Sequence, residues 1–317
     1  MAQTLSINEA QTLISNLLDE VWEIEEPRDL CYPDYMNVST MSRGEHVDYR
    51  VAGFGKFVER GELEDIDYDQ IEFGETLTIK PRNWARGFKV SEEVIEDLAD
   101  APHAGEIGSK LGAYADVTAR WRRSAEWTVE QECANLLLNG TSTATGYVLR
   151  DAVAWFGTHA TLKNPTVSQS NVATHASLAA VTLNNMVTTL NLQLDDRGDY
   201  LSKSGQNIVI VSESDATRAY EILNTTGQVD SANNNVNTLK KHKFKVVECP
   251  YLNVAAATYA GYFVLREKVH GAHMKWRKKP TFAKDNDFDA IAMKYRARMR
   301  FERYVRHWQG AVGDNGS

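Results

Sequence analysis

The chain has 317 residues, of which 43% are hydrophobic and 25% charged, and its formal net charge is −8 at pH 7. This composition is typical of a globular protein and excludes a collagenous, disordered or disulfide-stapled chain. The three cysteines, Cys31, Cys133 and Cys249, are odd in number and far apart in the sequence, which indicates reduced thiols of a protein made in a cytosol. The sequence shows neither a signal peptide nor an apolar run of the ~18 residues that span a membrane.

The first ninety residues predict a helix followed by a long hairpin. A capping box at Ser6–Glu9 opens a helix with the apolar stripe Leu13, Ile14, Leu17 and Leu18. Apolar residues then alternate in "HVDYRVAGFGKFVERG" and in "IEFGETLTIKPRNWARGFKVS", which predicts β-strands. We interpret residues 46–90 as a hairpin arm. Because an isolated hairpin is only marginally stable in water, we expect this arm to pack partly on another subunit.

The tip of this arm is acidic. The connector "ELEDIDYD" carries Glu62, Glu64, Asp65, Asp67 and Asp69. A calcium loop would need a glycine and a terminal bidentate glutamate at loop spacing, which this stretch lacks. The pattern therefore favours a solvated or partner-facing acidic tip.

A very long helix is predicted next. After the short helix "EEVIEDLA", the stretch "AGEIGSKLGAYADVTARWRRSAEWTVEQECANLLLNG" contains no proline and keeps Ile107, Tyr114, Trp121 and Leu136 near one helical face. About 35 residues of helix span roughly 50 Å. Gly140 lies where a C-terminal cap is expected.

An α/β unit follows a polar loop. Residues 141–176 predict a loop that the apolar island "VAWFGTHATL" attaches to the body of the protein. From residue 180 to residue 270 the pattern alternates between helix and strand. "AAVTLNNMVTTLNLQL" and "SESDATRAYEIL" predict helices, whereas "NIVIV", "HKFKVVECPYL" and "YFVLRE" predict strands.

In the closing stretch "MKYRARMRFERY", Met293, Tyr295, Ala297, Met299 and Phe301 alternate strictly with basic residues, which predicts a strand with one apolar and one charged face. The apolar face must lie on a core. The charged face is compatible with solvent, with nucleic acid or with an acidic surface on another copy of the chain. The overall acidic charge makes a dedicated DNA-binding protein the weaker interpretation.

Catalytic motifs are not evident. Gly53–Lys56 resembles a phosphate loop but lacks its glycine spacing and its Ser/Thr. His270 and His273 have metal-like spacing, but a surface loop pair is the better interpretation, because no third ligand is suggested. An α/β enzyme built around residues 180–270 would need a nucleophile, base or phosphate loop at a strand end. We predict no enzyme, no cofactor and no metal.

The order of these elements resembles the Hong Kong 97-like fold of tailed-bacteriophage major capsid proteins, and more specifically the Mu-like major head subunit family. The phrases that carry the resemblance are "IKPRNWARGFKVSEEVIEDL", "NGTSTATGYVLRDAVAWFGTHATL", "NLQLDDRGDYLSKSGQNIVIVSES" and "TLKKHKFKVVECPYL". The resemblance extends from about residue 8 to residue 310.

The resemblance implies an α+β fold with five parts. These are an N-terminal arm (1–45), an E-loop hairpin (46–90), a P-domain (91–179) with a spine helix at about 104–139, an α/β A-domain (180–270), and P-domain return strands with the C-terminus (271–317). Some relatives carry a cleaved N-terminal scaffolding segment, whereas this chain begins almost directly with its arm, so we expect any scaffold to be a separate protein. Some relatives crosslink through an E-loop lysine. Residues 59–69 contain no lysine, so we expect a non-covalent shell.

The resemblance also implies a function and partners. Hexamers and pentamers would form an icosahedral head around double-stranded DNA, which the shell would contact non-specifically, in a virion assembled in the bacterial cytoplasm. Scaffolding protein, portal and a decoration or cement protein would be further partners, with no membrane involved. The alternative is an encapsulin-like shell enclosing enzyme cargo. The residues predicted as assembly contacts are Glu62, Glu64, Asp65, Asp67, Asp69, Trp84, Lys294, Arg296, Arg298, Arg300 and Arg303.

Overall fold

The computed structural model describes residues 7–23, 30–66, 68–99, 104–174, 176–227, 236–253, 261–287 and 292–314. The chain forms two compact units, each built from segments that are distant in the sequence. The first unit comprises Met1–Asp29, Pro81–Val129 and Trp276–Glu302, and the second comprises Leu30–Lys80, Glu130–Lys275 and Arg303–Ser317. Within the described residues, no helix is both long and apolar enough to cross a membrane.

The helices and strands alternate along the chain. The α-helices are α1 (Ile7–Glu23), α2 (Tyr32–Tyr35), α3 (Glu92–Ala99), α4 (Ala104–Leu138), α5 (Ala180–Leu192) and α6 (Glu213–Asn224). The strands are β1 (Asn37–Thr40), β2 (His46–Val51), β3 (Phe73–Ile79), β4 (Arg82–Ser91), β5 (Thr158–Ala160), β6 (Ser168–Ser170), β7 (Val172–Ala173), β8 (Asn207–Val211), β9 (Phe244–Glu248), β10 (Phe263–Arg266), β11 (Ala272–Asp287), β12 (Ala292–Val305) and β13 (Ala311–Asp314). Short 3₁₀ turns lie at Thr238–Lys241 and Pro250–Leu252.

Helix α1 confirms the first predicted helix. Ile14 and Leu18 are buried and Leu17 is half-buried, so the described part of the predicted stripe faces the core of the first unit. Each fully buried aliphatic side chain of this kind contributes about 1.5–3 kcal/mol relative to an exposed one. The predicted cap at Ser6 and the side chain of Leu13 lie outside the described residues.

The core of the first unit is rich in aromatic rings. The Trp22 ring packs edge-on against Trp121 of α4 with ring centroids 5.4 Å apart, and it stacks on Phe282 of β11 at 5.7 Å. Phe88 of β4 stacks on Tyr295 of β12 at 5.1 Å. Such ring pairs contribute about 0.5–1.5 kcal/mol beyond their buried area, so they fix how helix and sheet pack within this unit.

Strand β12 confirms the predicted alternation. It pairs antiparallel with β4, and Tyr295, Ala297, Met299 and Phe301 are all buried. Arg296 and Arg298 between them are exposed. The sheet that contains these strands has the order β1-β11-β12-β4.

The hairpin arm is shorter than predicted. β2 and β3 pair antiparallel, with His46 opposite Ile79 and a register shift between Tyr49 and Val51. The stretch 82–90, which we had assigned to the same hairpin, forms β4 and pairs with β12 instead. Pro81, which carries no amide hydrogen, separates β3 from β4. Apolar residues alternate on both sides of this proline, so the pattern alone does not reveal that β3 and β4 pair with different strands.

Helix α4 confirms the long predicted helix. It begins at Ala104 and ends at Leu138. Gly140 does not cap it through a left-handed conformation, because its φ is not among the positive values of the chain. A Cβ at this position would lie 2.4 Å from the Phe156 ring, so glycine is required for close packing.

The second unit contains a five-stranded sheet of order β7-β13-β10-β8-β9. β8 runs parallel to β9 and antiparallel to β10, as expected for a helix-connected α/β unit. β8 is buried along its whole length, which confirms the interpretation of "NIVIV". Leu183, Met186 and Leu190 of α5 pack in the same core, together with Ala219 and Ile222 of α6.

The end of the chain differs from expectation. β13 pairs with β10, so residues 311–314 join the sheet of the α/β unit, whereas we had grouped them with the return strands. His270 is 5% exposed and His273 stacks on the Tyr304 ring at 5.5 Å. The interpretation of these histidines as a surface loop pair is therefore wrong, because His270 is buried in the connection between β10 and β11 and His273 lies within β11.

The segment after α4 is attached to the core as predicted. Trp155 and Phe156 of the island "VAWFGTHATL" are buried, with ring centroids 4.7 Å apart. His159 is fully buried; its Nδ1 lies 2.7 Å from Asp151, and its ring stacks on Trp308. This polar pair anchors a loop that has little regular structure.

Candidate assembly surfaces

The arm displays a large amount of apolar surface. Phe57 and Leu63 are 106% and 96% exposed, so they make almost no contact within the chain. We define the apolar arm patch as the exposed residues Phe54, Phe57, Val58, Leu63, Ile66, Tyr68, Ile71 and Phe73. Contiguous apolar patches on soluble proteins mark interaction sites, because their exposure to water is unfavourable. A complementary surface outside the chain is the expected partner of this patch.

The acidic tip contains exposed carboxylates and one carboxylate that pairs with an arginine. Glu62, Glu64 and Asp65 are exposed, while Asp67 lies outside the described residues. Asp69 instead lies 2.7 Å from the Arg197 guanidinium and accepts a hydrogen bond from the Gly55 amide at 3.0 Å. The hydrogen bond from Arg197 lowers the pKa of Asp69 to about 2, with the Gly55 amide adding to the effect.

Ion pairs attach the base of the arm to the turn after α5. Arg50 of β2 donates from Nε to Asp196 at 3.1 Å and from a terminal nitrogen to the Ala160 carbonyl at 2.8 Å. Burial opposes the charge of Arg50, but the hydrogen bonds and charges of Asp196 and Glu75 together outweigh burial, so the pKa of Arg50 is raised. Lys163 pairs with Glu72 close to β3. These contacts hold the base of the arm while its tip stays exposed.

The basic face of β12 is only partly available to a partner. Arg296 and Arg298 are exposed, and they lie opposite Gly87 and Ala85 of β4, which carry no charge. Lys294 and Arg300 are half-buried. The exposed centre of this face therefore consists of two guanidinium groups with no acidic residue opposite them in β4.

Two predicted contact residues pack within their own unit. Arg303 is 4% exposed; it donates to the carbonyls of Glu132 at 2.9 Å and Gly146 at 3.1 Å, and it lies over the Tyr147 ring. Its assignment to the charged face is wrong, because Arg303 lies two residues after Phe301 and therefore on the buried side of β12. Trp84 is half-buried and stacks on Phe301 at 5.8 Å, so its described contacts are intramolecular.

The residues that anchor the arm, Arg50, Asp196 and Arg197, are not among those predicted from the sequence. One signal was available. Arg50 occupies an inward position of an alternating strand, and "DDRGD" carries three acids around a single arginine. Nothing local in the sequence indicates that these two segments meet.

An arm that is attached at its base by ion pairs and exposes an apolar patch is the kind of surface by which a protein binds a partner. A family model described as "Phage capsid protein" matches residues 74–313, most of the chain. The chain belongs to this family of phage capsid proteins, and its place is the capsid of the virion.

Solved structures show the same architecture at low sequence identity. The capsid of cyanophage P-SCSP1u is 12% identical, with a TM-score of 0.53, over 92% of this chain and 90% of that one. The acid-stable capsid of Helicobacter pylori bacteriophage KHP30 is 10% identical, with a TM-score of 0.50, over 92% of each chain. The chain thus has the Hong Kong 97-like fold predicted for it. No curated protein matches its sequence significantly.

The encapsulin-like alternative is the weaker one. A virus-like particle from Pyrococcus furiosus is 8% identical, with a TM-score of 0.47 over 96% of this chain and 97% of that one, which is too low to carry an argument. The family match is to phage capsid proteins. The function is therefore that of a capsid shell protein.

Proposed function

We propose that the chain is the major head subunit of a Mu-like tailed phage and that it forms hexamers and pentamers of an icosahedral shell around double-stranded DNA. The exposed apolar arm patch is the observation that carries this proposal. Residues such as Phe57 and Leu63 find almost no cover within the chain, and a neighbouring subunit supplies it. Apolar contact of this kind is the main favourable term in subunit association.

The proposed shell is held together without covalent crosslinks. The tip from Glu59 to Asp69 contains no lysine, so an isopeptide bond cannot start from it. Apolar burial of the arm supplies the free energy of association, and exposed charges set the register between subunits. Individual exposed ion pairs contribute only ~0–1 kcal/mol, but a shell repeats each of them many times.

The proposed partners follow from the same surfaces. Arg296 and Arg298 contact either acidic segments of neighbouring subunits or the phosphates of packaged DNA, and any DNA contact is independent of sequence and weakened by salt. A scaffolding protein and a portal direct assembly in the bacterial cytoplasm. A cement protein is a further partner on the outside.

Electron microscopy of the purified protein tests the proposal. We expect closed shells, or rings of five and six copies, in negative stain when the protein is expressed alone or with its scaffold. Particles from the native source should contain DNA. A protein that stays monomeric at high concentration and with scaffold present would contradict the shell function.

A further inference from the structure

Two cysteines that are distant in the sequence meet in the second unit. Cys31 lies directly before α2, and Cys249 follows β9. Their sulfur atoms are 3.1 Å apart, although the residues are separated by 218 positions. The Cys31 sulfur also lies 2.7 Å from a carboxylate oxygen of Glu130 on α4. The Cys31 thiol therefore contacts both a second thiol and a carboxylate.

The contact has the features of a disulfide precursor. A disulfide bond is about 2.05 Å long, so the two sulfur atoms need to approach by only about 1 Å. Cys31 precedes the short helix α2 and Cys249 precedes a short 3₁₀ turn, so neither residue lies inside a long helix or strand. Cys133 is also buried, but among the described residues no hydrogen bond joins its thiol to Cys31 or Cys249. The pairing is thus specific to two of the three thiols.

Glu130 and the two thiols share protons. Cys31 has one S–H, which it can donate either to Glu130 or to Cys249. Burial raises the pKa of Glu130, so its carboxylate accepts a proton more readily than an exposed one does. Donation from Cys31 lowers the pKa of Cys249 and raises that of Cys31. The arrangement favours Cys249 as the thiolate nucleophile and Glu130 as the proton acceptor.

We propose that Cys31 and Cys249 are a modification site that a peroxide converts into an intrachain disulfide. Cys31 is 7% exposed and Cys249 is fully buried, so the peroxide reaches Cys31 first. The Cys31 thiol passes its proton to Glu130 and its sulfur attacks one peroxide oxygen; the O–O bond breaks, and the departing hydroxide takes the proton from Glu130 and leaves as water, which gives a Cys31 sulfenic acid. The Cys249 sulfur then attacks the Cys31 sulfur, the S–O bond breaks, and hydroxide leaves as a second water with a proton passed on by Glu130. Two thiols are oxidised by two electrons, and one peroxide is reduced to two waters.

The bond would tie the segment before α2 to the end of β9 and so constrain the unfolded chain over a long loop. Under the proposed function, the protein is made in a reducing cytosol and later meets oxidising surroundings, so the bond forms after release of the particle. Only this timing depends on the proposed function. The chemistry can be tested on the purified protein whether or not it assembles.

Mass spectrometry tests the site. Purified protein is treated with hydrogen peroxide, its remaining thiols are alkylated, and it is digested without reductant. We expect the loss of two hydrogen atoms from the intact mass and a linked peptide that contains Cys31 and Cys249 and that dithiothreitol separates. Recovery of both cysteines as free thiols, or as sulfinic or sulfonic acids without a linked peptide, would overturn the proposal.

Matched variants separate this site from general oxidation. Cys133→Ser removes the third buried thiol and should leave the linked peptide unchanged, whereas Cys249→Ser should abolish it and leave Cys31 as a trapped sulfenic acid. Glu130→Gln should slow the appearance of the linked peptide. The linked peptide is sought first in the protein without substitutions, so the proposal can be refuted even if a variant fails to fold.

Discussion

Arg50 shows how one buried charge can position a whole arm. Its side chain is 8% exposed, and Asp196, which pairs with it, is 17% exposed. A buried charge without a partner is costly, so the two residues depend on each other. Arg50 also donates to the Ala160 carbonyl, which ties strand β2 to strand β5.

Removing the Asp196 carboxylate should therefore destabilise the second unit. We expect Asp196→Asn to lower the free energy of unfolding of the unassembled subunit by about 1.5–3 kcal/mol, because the buried Arg50 loses its nearest counter-ion and keeps Glu75 at 3.4 Å. Urea unfolding measures the change. The control is Asp199→Asn, since Asp199 is 44% exposed and pairs only loosely with Lys56 at 3.6 Å; it should change stability by less than about 0.5 kcal/mol. Equal effects of the two variants would contradict the anchoring role.

Three histidines make stability depend on pH. Burial lowers the pKa of His307 to about 3 and the pKa values of His270 and His273 to about 4. Below pH 6.5 the unfolded chain takes up a proton at each site, while the folded chain does not until about pH 4. Their contribution to stability is thus complete above pH 6.5 and is lost as the pH falls toward 4.

Unfolding of the subunit at several pH values checks this. Between pH 6.5 and pH 4.5, before most carboxylates titrate, we expect the free energy of unfolding to fall by about 1.4 kcal/mol per pH unit for each fully shifted histidine. His307→Asn removes one titrating group and should flatten the curve. A stability that is constant over this range would show that the histidines are not held neutral by the fold.

At the scale of elements, the long helix and the arm differ in where they find stabilising contacts. Helix α4 buries Trp121, Cys133 and Leu136 in the cores of the units, so its stability is largely internal. The tip of the hairpin, by contrast, places aromatic and aliphatic side chains in water. Three or more strands or a packing partner are needed to stabilise such a hairpin. The arm is therefore the element whose environment should change most on assembly.

Polar substitution in the apolar arm patch tests that expectation. We expect Phe57→Ser combined with Leu63→Ser to leave the unfolding of the free subunit unchanged within about 0.5 kcal/mol, because neither side chain is buried in it. Association should weaken by more than tenfold, since each large apolar side chain buried at an interface contributes about 1.5–3 kcal/mol. Sedimentation velocity measures the assembled fraction.

Val236→Ser is the control for the arm variant. Val236 is 77% exposed but lies outside the arm, so its replacement should alter neither folding nor assembly. Normal assembly of the Phe57/Leu63 double variant would rule out the arm as the main contact.

At the scale of the whole molecule, charge is unevenly distributed along an acidic chain. The exposed carboxylates Glu62, Glu64 and Asp65 belong to the arm, and the exposed guanidinium groups Arg296 and Arg298 belong to β12. Opposite charges on one chain allow head-to-tail contacts between copies, and such contacts close into rings when the rotation permits. Salt weakens exposed pairs of this kind, so assembly should depend on ionic strength.

Charge reversal on β12 examines this arrangement. We expect Arg296→Glu combined with Arg298→Glu to block assembly while the subunit stays folded, because both side chains are exposed and point away from the buried face. Lys203→Glu with Lys268→Glu makes the same change in net charge at exposed sites outside β12 and should assemble normally. Circular dichroism verifies folding, and electron microscopy counts shells. Shells of normal number and shape from the Arg296/Arg298 variant would exclude this face from assembly.

Much of this fold follows from local patterns in the sequence. Local patterns predict β12 from its period-two alternation, α4 from its long run without proline, and β8 from its continuous apolar residues. Each pattern is informative because a helix or strand buries its apolar face, or all of its faces, in a core. The sequence also predicts the net negative charge of the chain and a charged face of β12 that includes Arg296 and Arg298.

Tertiary structure alone decided which segments meet. Alternation continues through residues 71–90, yet β3 pairs with β2 and β4 pairs with β12, because register depends on a partner that local sequence does not specify. In the same way, Arg303 is buried against Glu132 and Tyr147, and Cys31 meets Cys249 across 218 positions. The local sequence determines whether a segment forms a helix or a strand. The residues that bury a side chain, pair with its charge or contact its sulfur come from distant parts of the chain.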